Sequence, residues 1–150
     1  MTTTPRRCGS CAACCTVLGV TELAKAEHVR CAHIRGHGGC GIYADRPASC
    51  VAYRCRWLYG AGAVDDRPDR LGIILDTVPA LDGGEDVIVA REVRVGAFEA
   101  GRGAHLLATI EAKTIVVRAF LDGTRNLHGS ASRVSRLVAL HHASGKALPR

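Results

Sequence analysis

The sequence has 150 residues, of which 47% are hydrophobic and 23% charged. This balance is typical of one globular domain and excludes a wholly disordered chain, so we treat residues 1–150 as a single domain. No apolar run reaches the ~20 residues that a membrane-spanning helix needs. Residues 1–7 are polar and basic rather than an apolar export signal. We therefore expect a cytoplasmic protein with no membrane contact.

The formal charge of +6 comes from the last part of the sequence. Residues 1–112 hold equal numbers of basic and acidic side chains, whereas residues 113–150 hold seven basic residues and one acidic residue. Metal-bound cysteines are deprotonated, so a cysteine site would cancel much of this positive charge. We therefore expect no nucleic-acid partner. A basic zinc module that binds nucleic acid or the ribosome stays as an alternative, and a protein partner is left open.

All eight cysteines lie in the first 55 residues. The sequence accordingly divides into a cysteine-rich part, about residues 8–60, and a conventional part, about residues 70–145, joined by a turn rich in Gly and Asp. Residues 20–28 predict a short helical turn with Thr21 as its N-cap, and the glycines of residues 36–41 predict a loop. A part with so little to bury would gain its stability from a bound metal.

The conventional part shows strand and helix patterns. Alternating valines predict a strand that Arg91 interrupts, and the Gly-Gly pair of residues 81–84 predicts a hairpin turn before it. The alternating residues are Val87, Val89, Val93 and Val95. The predicted elements are strands over residues 71–75, 86–95 and 114–121 and helices over residues 99–112 and 130–144. This order predicts an α+β fold, with helices on one face of a small sheet beside a loop-rich, metal-stabilised cysteine cluster.

The first cysteines form two overlapping Cys-x-x-Cys pairs, Cys8, Cys11 and Cys14, followed directly by Cys15. Two intervening residues allow a tight turn to aim both sulfurs at one point, as in zinc and iron–sulfur sites. Cys14 and Cys15 are direct neighbours, so on a helix their side chains point about 100° apart. As ligands of one tetrahedral ion they would be strained. We therefore expect them to serve different centres or the two sides of one larger centre.

Four further cysteines follow at wider spacing, namely Cys31, Cys40, Cys50 and Cys55. In a reducing cytosol, clustered cysteines are more often metal ligands than disulfides, which leaves four disulfides in a secreted domain as the alternative. Eight thiols divide into two sets of four, the closed coordination of structural zinc. Alternatively, four of them bind one [4Fe–4S] cluster. All eight cysteines are candidate metal ligands, and zinc is the leading prediction ahead of iron.

The complete pattern is Cys8-x-x-Cys11-x-x-Cys14-Cys15, then Cys31, Cys40-Gly-Ile-Tyr43, Arg46-Pro47 and Cys50-x4-Cys55-x-Trp57-Leu58. Over residues 8–60 it resembles the CxxCxxCC family, described as a zinc- or iron-chelating domain. The resemblance implies chelation through the eight cysteines and a cytoplasmic, bacterial setting, with no particular reaction. A flagellin lysine methylase is similar in its cysteine cluster, which keeps iron–sulfur chemistry open.

Other side chains near the cysteines have simple explanations. With eight thiols available, we expect His28 and His33 to lie at the surface or to support the ligands. We expect Arg46 to offset thiolate charge rather than to line a substrate pocket, and Trp57 to shield the sulfurs from water. No catalytic motif is readable, so enzyme activity is left open. The predicted function is metal chelation with a mainly structural role, and an iron–sulfur redox protein or enzyme is the alternative.

Overall fold

The computed structural model describes residues 5–79 and 84–145. Its strands are β1 Ile73–Val78, β2 Val87–Glu92, β3 Ile115–Ala119 and β4 Arg125–His128. Its helices are α1 Ala13–Val17, α2 Ala48–Ala52, α3 Pro68–Leu71, α4 Gly101–Glu111 and α5 Ala131–Ser144, with a 3-10 helix at Thr21–Leu23. The four strands form one sheet in the order β1-β2-β3-β4. No helix in the described ranges has both the length and the apolar character needed to cross a membrane.

The two outer strand pairs are antiparallel, and the central pair β2–β3 is parallel. A parallel pair needs a crossover connection, which α4 supplies. Both faces of the sheet are apolar, because Ile88 of β2 packs with Leu107 of α4 while its neighbour Val89 packs with Leu137 of α5. Residues 87–90 are therefore buried one after another, as in a strand covered on both faces.

The predicted α+β class is confirmed, but the helices are distributed differently from the expectation. α4 and α5 cover opposite faces of the sheet rather than one face, because consecutive side chains of a strand point to opposite sides. The cysteine-rich part lies on the same face as α5 and covers the sheet at Ile74 of β1. The sheet is thus the support on which the cysteines are mounted.

The predicted strands and helices of the conventional part are present, with shifted ends. β1 begins later than predicted because Leu71 still belongs to α3, and Gly72 then turns the chain at a φ of +80°. The valine alternation fails at Val95, which is 82% exposed beyond the end of β2. The predicted turn at 81–84 lies outside the described residues except for its last position.

Sequence periodicity does not predict β4. This strand follows the turn at residues 122–123 and pairs with β3 at the edge of the sheet. Leu127 is its one apolar residue, and none of its four residues is fully buried. An edge strand is held by backbone pairing on one side, so it can form without the apolar pattern that marks a central strand.

The cysteine-rich part contains little regular structure. α1 and α2 have five residues each and the 3-10 helix three. The 3-10 helix lies where a short helical turn is predicted, with Thr21 as its first residue rather than its cap. Segments this short are not stable by themselves. An apolar cluster attaches them to β1, and its buried members are Ala13, Val17, Cys55, Trp57 and Ile74.

Gly103 provides a test of the packing between α4 and the sheet. A Cβ atom on Gly103 would lie 2.6 Å from Cδ1 of Ile73 and 2.8 Å from the carbonyl oxygen of Ala97. Helix propensity alone would make alanine better than glycine by about 1 kcal/mol, but overpacking costs about 1–3 kcal/mol. We expect Gly103→Ala to lower the free energy of unfolding, measured by denaturant titration.

Ala108 lies on the exposed side of the same helix and provides the control. Ala108→Gly changes propensity without changing packing, so we expect it to cost about 1 kcal/mol. If Gly103→Ala stabilised the protein while Ala108→Gly destabilised it, propensity would outweigh packing and the close contacts at Gly103 would be wrong.

Candidate metal centre

The first four cysteines are brought together by one turn and one short helix. The Cys11 amide donates to the Cys8 carbonyl over 2.9 Å, which closes the first turn. Cys14 and Cys15 follow within α1. Their sulfur atoms lie 3.9 Å apart. The two sulfurs are therefore closer together than we expected from side chains that point about 100° apart on a helix.

Two loops that carry cysteines touch each other through glycines. A Cβ on Gly38 would lie 2.5 Å from the carbonyl oxygen of Ser10. One on Gly39 would lie 2.9 Å from the carbonyl oxygen of Gly9. Both positions also have a φ in the left-handed region, at +93° and +79°, which favours glycine. The Gly38-Gly39 pair therefore allows the loop that leads into Cys40 to approach the first Cys-x-x-Cys turn.

Backbone contacts bring the middle cysteines to the same place. The Cys31 amide donates to the Cys15 carbonyl over 2.9 Å. Cys40 forms an antiparallel bridge with Ile34, so the chain folds back on itself between Cys31 and Cys40. These contacts place Cys31 beside α1 and Cys40 beside the segment that follows Cys31.

Cys50 is positioned by α2, which is attached to the 3-10 helix. The amide and the hydroxyl of Ser49 donate to the Glu22 carboxylate over 3.0 and 2.8 Å. A hydrogen bond from its own backbone amide lowers the pKa of Glu22 most, and the two hydrogen bonds from Ser49 lower it further. The side chain next to Cys50 thus fixes α2 against the segment that follows α1.

One cavity of about 470 Å³ lies between these segments. Seven of the eight cysteines line it, namely Cys8, Cys11, Cys14, Cys15, Cys31, Cys40 and Cys50. Cys55 is placed differently, since it is 9% exposed and packs in the apolar cluster with Trp57 and Ile74. All eight thiols are free. The structure therefore gathers seven of the predicted ligands, and ligation by Cys55 stays a prediction.

The donor type and spacing of these thiols determine whether they suit a metal. Among the described residues, no group of three or more His, Cys, Asp or Glu side chains already converges as a coordination shell. Cysteine thiolates are the soft donors that zinc takes in closed, four-coordinate sites. The donors thus suit zinc in type, and the adjacent Cys14 and Cys15 bring their sulfurs within 3.9 Å of each other in the cavity.

The cavity changes the acidity of its thiols. Burial raises the pKa of Cys11 to about 11 and also raises the pKa values of Cys50 and Cys55. The hydrogen bond between Cys14 and Cys15 raises the pKa of the first and lowers the pKa of the second to about 7. Of these five thiols, Cys15 is therefore the one that ionises most readily.

A first neighbourhood contains Cys8, Cys11, Cys14 and Cys55. The Cys8 carbonyl accepts a hydrogen bond from the Cys11 amide, and Cys11 and Cys14 pack against the apolar cluster that contains Cys55. The hydrogen bond with Cys15 and burial raise the pKa of Cys14, and the charges of Cys15, Cys11 and Cys8 add to these effects. Cys55 therefore lies beside the first Cys-x-x-Cys pair although it does not line the cavity.

A second neighbourhood surrounds Cys50. After burial, its pKa is raised by the charges of Cys15, Glu22 and Cys31. The backbone hydrogen bond between Cys31 and Cys15 joins the same residues. The two neighbourhoods meet at the adjacent residues Cys14 and Cys15.

A polar network lies between the cavity and the sheet. The Tyr53 hydroxyl donates to Oδ1 of Asp76 over 2.5 Å, and Nε of Arg91 donates to Oδ2 of the same carboxylate over 3.3 Å. All three residues line the cavity. Burial and the charge of Asp76 raise the pKa of Tyr53, so its hydroxyl stays a donor. The ion pair with Asp76 explains why an arginine interrupts the valine pattern at position 91. The sequence pattern alone does not predict this pair.

Arg67 supports the first Cys-x-x-Cys turn from outside. Its guanidinium donates to Oγ of Ser10 over 2.9 Å and to the carbonyl oxygen of Cys8 over 3.5 Å. It also forms an ion pair with Asp69 at 2.7 Å. Burial acts to raise the pKa of Asp69, but the hydrogen bonds and charge of Arg67 outweigh burial and the pKa is lowered. A fixed positive charge therefore lies next to the first two thiols.

The histidines and the tryptophan near the cysteines take different positions. His33 lines the thiol cavity, whereas His28 is absent from its lining and has a buried Nδ1 with no hydrogen-bond partner among the described residues. Trp57 is 8% exposed and belongs to the apolar cluster that contains Cys55 and against which Cys11 and Cys14 pack. The shielding of the sulfurs by Trp57 stays a prediction.

Comparisons with protein-family models, with curated protein sequences and with solved structures give no match to this chain.

Proposed function

We propose that the protein is a metal-chelating module whose eight cysteines hold two zinc ions. The observation that carries the proposal is that seven thiols from separate loops and two short helices line one cavity. Thiolates are soft donors that select zinc or iron–sulfur centres over hard cations such as magnesium. The Cys-x-x-Cys spacing of Cys8, Cys11 and Cys14, which is found in zinc and iron–sulfur sites, supports the same function.

Two ions are proposed because the thiols form two neighbourhoods. The first set is Cys8, Cys11, Cys14 and Cys55, which the first Cys-x-x-Cys turn, α1 and the apolar cluster bring together. The second set is Cys15, Cys31 and Cys50, which are joined by the hydrogen bond between Cys31 and Cys15 and by the cavity that they line. Cys40 lines the cavity too and is assigned to the second set as its fourth thiol. Four thiolates per ion is the closed coordination of structural zinc. The two sets share a border where the sulfurs of Cys14 and Cys15 lie 3.9 Å apart.

The proposed role of the metal is mainly structural. α1 and α2 are too short to be stable alone, and the loops between them have few buried side chains. Binding of an ion to such a segment contributes its free energy directly to folding. We place this function in the reducing cytosol, where thiols stay available for metal.

Elemental analysis of anaerobically purified protein tests the proposal. We expect about two zinc ions per chain and no visible absorption, because zinc has no redox or colour-giving d-electron transitions. A brown protein that contains iron and sulfide would contradict zinc binding and would assign an iron–sulfur cluster to the same thiols. Protein purified from cytosol with no metal and with its cysteines in disulfides would refute chelation.

Double cysteine variants test the two sets. Cys31→Ala with Cys50→Ala removes two donors of the second set, so we expect the loss of about one zinc ion. Cys31→Ala with Cys55→Ala removes one donor from each set, so we expect the loss of both ions. Equal zinc content in the two double variants, measured by elemental analysis, would contradict the assignment.

Zinc affinity should increase with pH. The pKa of Cys11 is raised to about 11, and the pKa values of Cys50 and Cys55 are also raised, so these thiols are protonated at pH 7 in the metal-free protein. Zinc must displace these protons, so a lower pH favours the metal-free state. Between pH 8 and 6 we expect the apparent affinity to fall by about tenfold or more per pH unit. Competition with a chromogenic chelator measures it, and a constant affinity would show that the ligands are already ionised.

A further inference from the structure

A second cavity, which we call the arginine cleft, opens beside the thiols. Its volume is about 810 Å³, and it shares Cys8 and Cys40 with the thiol cavity. Its basic lining residues are Arg6, Arg7, Arg35, His37, Arg46 and Arg54. No Asp or Glu is present among its described lining residues. The cleft therefore concentrates positive charge at the edge of the proposed metal site.

Three of the arginines are available to a ligand. Arg6 is engaged in the fold, because its guanidinium donates to three backbone carbonyls between residues 57 and 62 over 2.8–2.9 Å. Arg7, Arg35 and Arg54 are exposed, and none of them forms an ion pair within the described part of the chain. Like charges gathered without a counter-charge attract anions.

Compensation of thiolate charge does not account for these three side chains. The arginines that line the thiol cavity are Arg46 and Arg91, whereas Arg7, Arg35 and Arg54 line the arginine cleft and not the thiol cavity. Arg46 can therefore serve the thiolates, as expected from the sequence. The three outer arginines face a space outside the thiol cavity.

The aromatic residues of the cleft indicate the kind of anion. The Arg46 guanidinium lies 3.9 Å from the ring centroid of Tyr43, a cation–π contact that covers one face of the ring. Tyr53 also lines the cleft, but its hydroxyl is bonded to Asp76 and the residue is partly buried. The cleft thus lacks the row of free aromatic rings on which single-stranded nucleic acid stacks. This favours a compact anion.

We propose that the arginine cleft binds a compact polyanion that carries phosphate groups, beside the metal site. Guanidinium groups form bidentate, charge-assisted hydrogen bonds with phosphate, and a single carboxylate would leave most of the charge in the cleft unmatched. The cleft volume of about 810 Å³ is within the usual range of small-molecule pockets. This inference goes beyond metal chelation and requires only that the cysteine-rich part is folded.

Calorimetric titration of the full chain, as purified, with tripolyphosphate tests the inference. We expect saturable binding of one tripolyphosphate per chain. The double variant Arg35→Gln with Arg54→Gln should weaken it at least about tenfold, because two charge-assisted contacts are lost. Arg30→Gln is the matched control, since Arg30 is an exposed arginine of the cysteine-rich part outside the cleft. We expect it to change the affinity by less than about twofold.

Metal content and circular dichroism of each variant separate the two roles of arginine. Weaker binding at unchanged metal content and fold supports the inference. Loss of metal in the double variant would assign these arginines to the thiolates and overturn it, as would no binding by the wild-type chain or equal weakening by Arg30→Gln. If a short single-stranded oligonucleotide bound more tightly than tripolyphosphate and was not displaced by it, the ligand would be a nucleic acid. That result would overturn the proposal of a compact anion. A folded chain that binds tripolyphosphate but contains no metal would refute chelation alone.

Discussion

The apolar contact between Ile74 of β1 and the cysteine-rich part is the interaction on which the candidate site depends. Ile74 is 1% exposed, and Val17 of α1, packed in the same cluster, is also 1% exposed. Burial of one such side chain stabilises by roughly 1.5–3 kcal/mol. This is a large contribution for helices of five residues, which have almost no stability of their own. Without it, α1 would not present Cys14 and Cys15 to the other loops.

The same face of the sheet changes from apolar to polar within one strand. Ile74 is followed on this face by Asp76, whose carboxylate accepts hydrogen bonds from Tyr53 and Arg91. A lone buried carboxylate would be costly, but the two donors satisfy both of its oxygens. Tyr53, Asp76 and Arg91 line the thiol cavity. Along β1, Ile74 thus packs against the cysteine-rich part, and Asp76, two residues later, belongs to the lining of the cavity.

The sequence predicts the elements whose pattern is local. Strand and helix periodicity locates β1–β3, α4 and α5, and the cysteine pattern predicts a cluster of eight thiols, of which seven line one cavity. It does not predict β4, which is a polar edge strand, or the placement of α4 and α5 on opposite faces, because β2 is buried on both sides. The partner of Arg91 is also hidden, since Asp76 belongs to a different strand and the pairing exists only in the folded sheet.

The net charge of a sequence segment does not show where the charges lie in the folded protein. Basic and acidic residues cancel over residues 1–112, yet residues 5–60 alone hold eight basic and three acidic side chains. The acidic residues that cancel this excess follow residue 60, and none of them is among the described lining residues of the arginine cleft. In the proposed metal site the deprotonated thiols would supply the opposite charge, and two of them, Cys8 and Cys40, line both cavities together with Tyr43 and Arg46. Arg46 borders both cavities, whereas Arg7, Arg35 and Arg54 line the cleft and not the thiol cavity, so the positive charge of the cleft extends beyond the proposed site.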